Sequence, residues 1–213
     1  MIHGLDAEKK AARATLRALW RALTPESLAS LSDQICERLS QTPDWANARS
    51  VMLYAAMPGE IDTSALAQRA LESGKIVGVP RTDWSGGALH PVRITDWKLA
   101  DAGVRSPERA SLPVPHEAAA PISPSSLDLV IVPGLGFDAS GNRLGRGAGF
   151  YDRFLLENSL GAKSVGLVPS RMILQRIPAG AMDSPVSTIV SESGLIRAAA
   201  SRGNGGRDSA GAS

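Results

Sequence analysis

Leu5, Ala12, Leu16, Leu19 and Leu23 recur at roughly helical spacing, and Thr24-Pro25 then ends one helix and starts another. The second helix carries Leu28, Leu31, Ile35 and Leu39 on one face, with Cys36 beside the stripe as a packed or half-buried thiol. After these helices the pattern changes. "SVMLYAAMP" is an unbroken apolar run stopped by Pro58-Gly59, as expected of a strand covered on both faces. "TSALAQRALESG" follows as a helix with Gly74 as its C-terminal stop, and "KIVGVPR" returns as a strand. Strand, helix, strand is a crossover unit, which favours parallel strands with helices on the sheet faces. "LDLVIVPGLGFD" is the strongest strand signal, "FYDRFLLEN" a helix and "KSVGLV" another buried strand, making a second crossover. "VSTIVSESGLI" reads as one further strand at or near an edge. Between the two units, "DWKLADAGVRSPERASLPVPHEAAAPISPSS" has no sustained period and reads as a long surface excursion that can hold a short helix. Residues 198–213 are small, polar and glycine-rich, so a disordered tail is expected there. The pattern predicts a single α/β domain over residues 1–197, with three α/β/α layers around a mainly parallel sheet.

Composition narrows the class. A chain of 213 residues with a 43% apolar share can bury a real core as one domain. Its 23 basic and 21 acidic residues are interspersed and leave a net charge of +2, so nucleic acid is not the expected partner. Cys36 is the single cysteine, which excludes an intramolecular disulfide and a cysteine-rich zinc site and fits a reducing compartment, the cytoplasm being the simplest address. The N-terminal stretch is charged and periodic, without the apolar core of a secretion signal, and no later segment approaches membrane-spanning length; no membrane partner is expected. The sequence is silent on oligomeric state.

The candidate chemistry lies in "GNRLGRGAGFYDR", which gathers four glycines and three arginines into thirteen positions. A strand is expected to deliver the chain to this loop and a helix to leave it, so Gly145, Gly147 and Gly149 precede a helix N-terminus. Free N–H groups and the helix dipole attract anions there, and glycine permits the positive φ angles that wrapping a phosphate requires. Arg143 and Arg146 can add charge-assisted contacts, with Arg153 a weaker candidate. Asp152, in the first turn, would be repelled by phosphate unless a divalent cation lay between, which makes it a natural Mg²⁺ partner. The same residues also suit a simple tight turn with a helix-start acid and solvated arginines, and the spacing matches neither the Walker pattern nor the dinucleotide fingerprint. As a first-turn acid, Asp152 is expected to contribute only modestly to stability. Lys9 and Arg13 are four apart on the first helix, opposite its apolar stripe, where they can meet one anion or form a solvated basic face. Glu60 follows a strand at the end where α/β crevices form, and spacing leaves a capping role equally open.

Taken in order, "KKAAR", "YAAMPGEIDT", "VPR", "DLVIVPGLGFDASGNRLGRGAGFYDRFL" and "PAGAMDSPVSTIVSESG" resemble the 5-formyltetrahydrofolate cyclo-ligase family, also called 5,10-methenyltetrahydrofolate synthetases, from about Lys9 to about Leu195. The resemblance implies conversion of 5-formyltetrahydrofolate to 5,10-methenyltetrahydrofolate, with ATP as co-substrate, Mg²⁺ as cofactor, and release of ADP and phosphate. In the mechanism usually drawn for the family, the formyl oxygen attacks the γ-phosphate, N10 closes onto the formyl carbon, and phosphate departs with the former formyl oxygen. Position by position, the resemblance implies that Lys9 and Arg13 reach the ATP phosphates. Arg143, Gly145, Arg146, Gly147, Gly149 and Tyr151 would form the nucleotide loop, with Arg146 and Tyr151 as its catalytic members and Asp152 as the metal-associated acid. Met57 and Glu60 would line the folate site, the carboxylate accepting N–H groups of the pterin. Trp84 and Trp97 have no matched position; either can stack on a folate ring, and ordinary packing is the simpler expectation. Three departures stand out. Ala148 replaces a Gly or Lys common in the family, Ser106-Pro107 replaces Glu-Pro with Glu108 the nearest acid, and Met182-Asp183 replaces a His-Asp pair. They bear on the folate half more than on the nucleotide half. They leave room for a relative that binds ATP or another phosphorylated ligand with altered folate activity, or for a non-catalytic binding module.

Overall fold

The computed structural model describes residues 2–57, 59–97, 104–106, 109–114, 119–157 and 161–198; the tail expected beyond Ala198, together with Pro58, Pro107 and Glu108, lies outside them. Helix α1 spans Ile2–Arg21 and α2 spans Pro25–Ser40. The Thr24 side chain accepts the Ser27 N–H at 3.2 Å and Pro25 occupies the first turn, so the Thr-Pro pair starts the second helix as its chemistry predicts. Thr42-Pro43 repeats the device for a short helix absent from the sequence reading, α3 (Pro43–Asn47).

Strand β1 (Ser50–Met52), helix α4 (Ser64–Glu72) and strand β2 (Ile76–Asp83) form the first crossover. Strand β3 (Ala88–Ile94) turns back antiparallel along β2, and the described part of the excursion contains the hairpin of β4 (Val104–Ser106) and β5 (Arg109–Val114). Strands β6 (Leu129–Val132), β7 (Gly136–Asp138) and β8 (Arg143–Leu144) follow, then helix α5 (Phe150–Glu157). Strands β9 (Lys163–Leu167), β10 (Ile173–Leu174), β11 (Thr188–Ser191) and β12 (Gly194–Arg197) complete the order.

The main sheet has seven strands in the order β12-β11-β9-β6-β1-β2-β3. Its five inner strands run parallel, and an antiparallel strand closes each edge. Strands β1 and β6 are buried at every position, as strands covered on both faces must be. Helices α2 and α4 pack against each other, against β11 and β2 respectively, and α5 packs on β3. The result is one α/β domain with a mainly parallel sheet flanked by helices.

Two expectations are corrected. "LDLVIVPGLGFD" is not one strand: β6 ends at Pro133-Gly134, and β7 joins a separate three-stranded sheet ordered β10-β7-β8. Proline brings no N–H to a ladder, the Pro133 carbonyl accepts Arg143 Nη1 at 3.1 Å, and a Cβ on Gly134 would lie 2.8 Å from the Phe137 ring, so the chain turns where backbone and ring crowd together. "VSTIVSESGLI" is likewise two strands, β11 and β12, paired antiparallel. The small sheet packs its Phe137 ring on Gly166 of β9 and receives Leu16 of α1 over Gly136, while Trp20 Nε1 donates to the Leu135 carbonyl at 2.8 Å. The small sheet thereby seats α1 and presents the loop after β8 beside it.

Candidate functional site

A cleft of about 580 Å³ opens beside the chain segments that follow β1 and β6, and every residue singled out from sequence as binding, catalytic or metal-associated lines it. From α1 come Lys9 and Arg13. They do not lie opposite the buried stripe: spacings of four, three and four continue the face through Leu16 and Trp20, both buried. The polar end of an inward face points into the cleft. Lys9 Nζ pairs with Asp183 at 2.6 Å, and Asp183 also accepts the Gly180 N–H. Arg13 Nε donates to the Gly145 carbonyl at 3.0 Å, tying α1 to the glycine loop.

That loop follows the two-residue strand β8 of the small sheet, not a central strand, and leads into α5. Gly147 and Gly149 take φ values of +119° and +70°, conformations that side-chain-bearing residues rarely adopt. Arg143 fixes the loop's first residue. Its side chain is 4% exposed, with Nη1 on the Pro133 carbonyl and Nη2 on Asp152 Oδ1 at 2.8 Å. Asp152 Oδ1 also accepts the Ser184 N–H at 3.2 Å. Arg146 is the more exposed arginine, and its Nε meets Glu60 Oε1 at 2.8 Å. Glu60 is buried, and its other oxygen accepts the Met57 N–H at 3.0 Å. The residues assigned from sequence to nucleotide and to folate are therefore joined by one ion pair.

Two buried polar atoms here, Arg143 Nε and the Tyr151 hydroxyl, have no partner among the described residues. An unpartnered buried donor is costly, and a ligand oxygen that reached it would relieve the cost. The Arg143 guanidinium sits 5.8 Å from the Tyr151 ring centroid. Burial first, and the Glu60 charge second, push the Tyr151 phenol well above its ordinary range, with Arg143 opposing. Burial and then Glu60 do the same to Tyr54, whose hydroxyl donates to the Ile61 carbonyl at 3.0 Å. Burial thus favours the neutral phenol, whose hydroxyl can donate a hydrogen bond.

Trp84 lines the cleft and meets Phe150 edge-on with ring centroids 4.8 Å apart, whereas Trp97 packs against the core. Ala148 and Met182 sit at the exposed rim, Met182 at 73% exposure. Sequence reading missed Phe150 and the hairpin residues Val79, Thr82 and Leu89 as lining. For Val79 and Thr82 the signal was "VPR" and the run of β2 past it; Leu89 lies on β3 and Phe150 opens α5. Among the described residues no group of three or more His, Cys, Asp and Glu is placed to hold a metal, and no helix is long and apolar enough to cross a membrane.

Comparison with known proteins agrees with this architecture. The model of the 5-formyltetrahydrofolate cyclo-ligase family matches residues 5–192. A 5-formyltetrahydrofolate cyclo-ligase of Mus musculus is 28% identical over 203 residues, covering 88% of this chain and 95% of the relative. That of Escherichia coli K12 is 29% identical over 183 residues, covering 84% and 97%. The solution structure of Aquifex aeolicus 5,10-methenyltetrahydrofolate synthetase superposes with a TM-score of 0.74 at 27% identity, covering 95% of this chain and 99% of that one. The match runs through both crossover units and the glycine loop, and on that ground the chain belongs to the 5-formyltetrahydrofolate cyclo-ligase family.

Proposed function

We propose that the cleft binds ATP and 5-formyltetrahydrofolate together and catalyses ATP- and Mg²⁺-dependent closure to 5,10-methenyltetrahydrofolate, releasing ADP and phosphate. The observation that carries this reading is the ion pair between Arg146 and Glu60, which sets a cation-ringed glycine loop against a buried carboxylate in one cavity. A formyl oxygen is a poor leaving group until phosphorylated, so both ligands must meet in one place. Its attack forms an O–P bond as the bond to the β-phosphate oxygen breaks and ADP departs. N10 then bonds to the formyl carbon and loses its proton, and the C–O bond breaks to release phosphate. Phosphoryl transfer depends mainly on positioning and charge neutralisation, which Lys9, Arg13 and Arg146 supply alongside the loop N–H groups. Lys9 and Arg146 are each paired with a carboxylate, which orients the two cations that a triphosphate would meet. Arg143 Nε and the Tyr151 hydroxyl donate to an oxygen of the transferred group or of the formyl amide. Glu60 receives pterin N–H groups.

The residues present fit a magnesium ion held jointly with the nucleotide. Asp152 uses Oδ1 for both of its bonds, and among the described residues Oδ2 accepts none. One carboxylate plus phosphate oxygens is an ordinary magnesium environment, and the ion would neutralise charge on the phosphates. The test is purified protein with ATP, Mg²⁺ and 5-formyltetrahydrofolate, followed by methenyl absorbance and ADP release. Equal amounts of both, each requiring all three components, are expected. ADP formed without need of folate would favour an altered relative, and failure to bind nucleotide at all would remove the reading.

A further inference from the structure

The β2–β3 hairpin gives Thr82, Trp84 and Leu89 to the cleft, and Gly145 to Gly149 form the loop beside it. One side chain bridges the two. Arg153, in the first turn of α5, places Nε 2.6 Å from the Gly87 carbonyl on the hairpin and Nη2 3.1 Å from the Ala148 carbonyl on the loop. Its guanidinium carbon lies 5.2 Å from the Phe150 ring centroid, and Phe150 in turn meets Trp84. The fit is close: a Cβ on Gly87 would come within 3.2 Å of Nη2 and one on Gly149 within 3.0 Å of Nη1. Both glycines hold positive φ, +68° and +70°, so the guanidinium occupies a slot bounded by two positions that disfavour side chains. The turn is pre-ordered, because Asp83 Oδ1 accepts the Ser85 N–H, the Ser85 hydroxyl and the Gly86 N–H at 2.7–2.9 Å. A rigid turn and a glycine loop thus share a forked cation whose N–H groups are engaged by main-chain carbonyls, an arrangement lysine cannot reproduce.

We propose that Arg153 is a positioning residue that couples the two halves of the cleft, so that a nucleotide ordering the glycine loop also fixes the Trp84 wall for the folate, and a bound folate does the reverse. This rests on the reading above that the cleft takes nucleotide at the glycine loop and folate together, and adds that the Trp84 wall lies on the folate side. Coupling between two binding sites is reciprocal, and a factor of about tenfold lies within the usual range. The experiment is calorimetric titration of the β,γ-imido analogue of MgATP with and without 5-formyltetrahydrofolate, and the converse titration. The unaltered protein is expected to bind each ligand about tenfold more tightly when the other is present. Arg153→Ala and Arg153→Lys are both expected to bind each ligand alone while the factor falls towards one. Gly87→Ala attacks the same bridge from the hairpin side and serves if the Arg153 variants do not fold. An alanine or lysine variant that keeps the full factor, or an unaltered protein that binds both ligands independently, overturns the coupling and leaves the proposed reaction standing. Unaltered protein that binds neither ligand overturns the reaction and the coupling with it.

Discussion

Asp152 and Arg143 are bound to each other, and this alters what a substitution does. From sequence, Asp152 is a first-turn acid of modest structural value; in the structure it is the counter-charge of a guanidinium only 4% exposed. Asp152→Asn is therefore expected to weaken Mg²⁺-dependent turnover and also to cost about 3 kcal/mol of stability in denaturant unfolding, since a buried charge loses its partner. Replacing Arg143 by Met in the same variant should recover part of that loss. On the proposed reading, Glu60→Gln weakens the pair with Arg146 and takes away the charge and one of the two acceptor oxygens offered to the folate, so the KM for 5-formyltetrahydrofolate should rise while that for ATP holds or falls; an equal rise in both would remove Glu60 from the folate subsite. The ionisation of three side chains can be read directly, because the chain has two tyrosines and one cysteine. Burial raises both phenols, and it is the first cause, ahead of Asp62 and Asp33, that pushes the Cys36 thiol up to about 12. A raised folded pKa stabilises below the unfolded value and is lost as pH climbs through the folded one. Stability should accordingly decline above about pH 9 and more steeply above about pH 10, with tyrosinate absorbance and thiol labelling appearing together with unfolding. Either signal in native protein at pH 10 would contradict the burial.

Two glycines separate what an element needs for shape from what it needs for space. At Gly147 the nearest atom to an added Cβ is Arg13 Cζ at 3.9 Å, so the restriction is the φ of +119° and not crowding. Gly147→Val should leave the melting temperature nearly unchanged, because an exposed loop can rearrange, while nucleotide affinity falls at least about tenfold with the strain of that conformation. At Gly166 a Cβ would lie 2.4 Å from the Phe137 ring between two sheets. Gly166→Ala should destabilise by about 1–3 kcal/mol and leave activity intact below the transition. The same contrast explains which elements were legible in the chain. Apolar runs identified β1, β2, β6 and β9 because the stretches buried on both faces, such as residues 77–79, 129–132 and 165–167, carry no polar side chain. Strand β3 was not legible, for "ALHPVRI" mixes a proline and charged groups into an edge strand with one open face. Pro133-Gly134 stood in plain view, yet apolar character on both sides masked its role as the break between two sheets. On α1, counting only apolar residues as the stripe put Lys9 and Arg13 on the wrong face, because the stripe turns polar where it reaches the cleft. Residue types alone placed the glycine loop between a strand and α5 but did not reveal the small sheet from which it springs.

Across the whole molecule, the cleft draws its walls from α1, from the segment after β1, from the hairpin, from the glycine loop and from the turn at Asp183. Ligands that touch so many segments should stabilise them jointly. With MgATP at about 100 times its Kd the fold should gain about 2.7 kcal/mol, visible as a rise of several degrees in the melting temperature. Amide exchange should slow in the N-terminal half of α1, whose buried anchors, Leu16 and Trp20, lie in the other half. No such protection on adding nucleotide would detach Lys9 and Arg13 from the phosphates. The Lys9–Asp183 pair spans 174 positions of chain. A ribosome that has made α1 has still to build the strands from β1 to β10 before it makes the acid that holds this cation in place. Nascent or prematurely terminated polypeptides that stop short of Asp183 therefore lack a finished cavity.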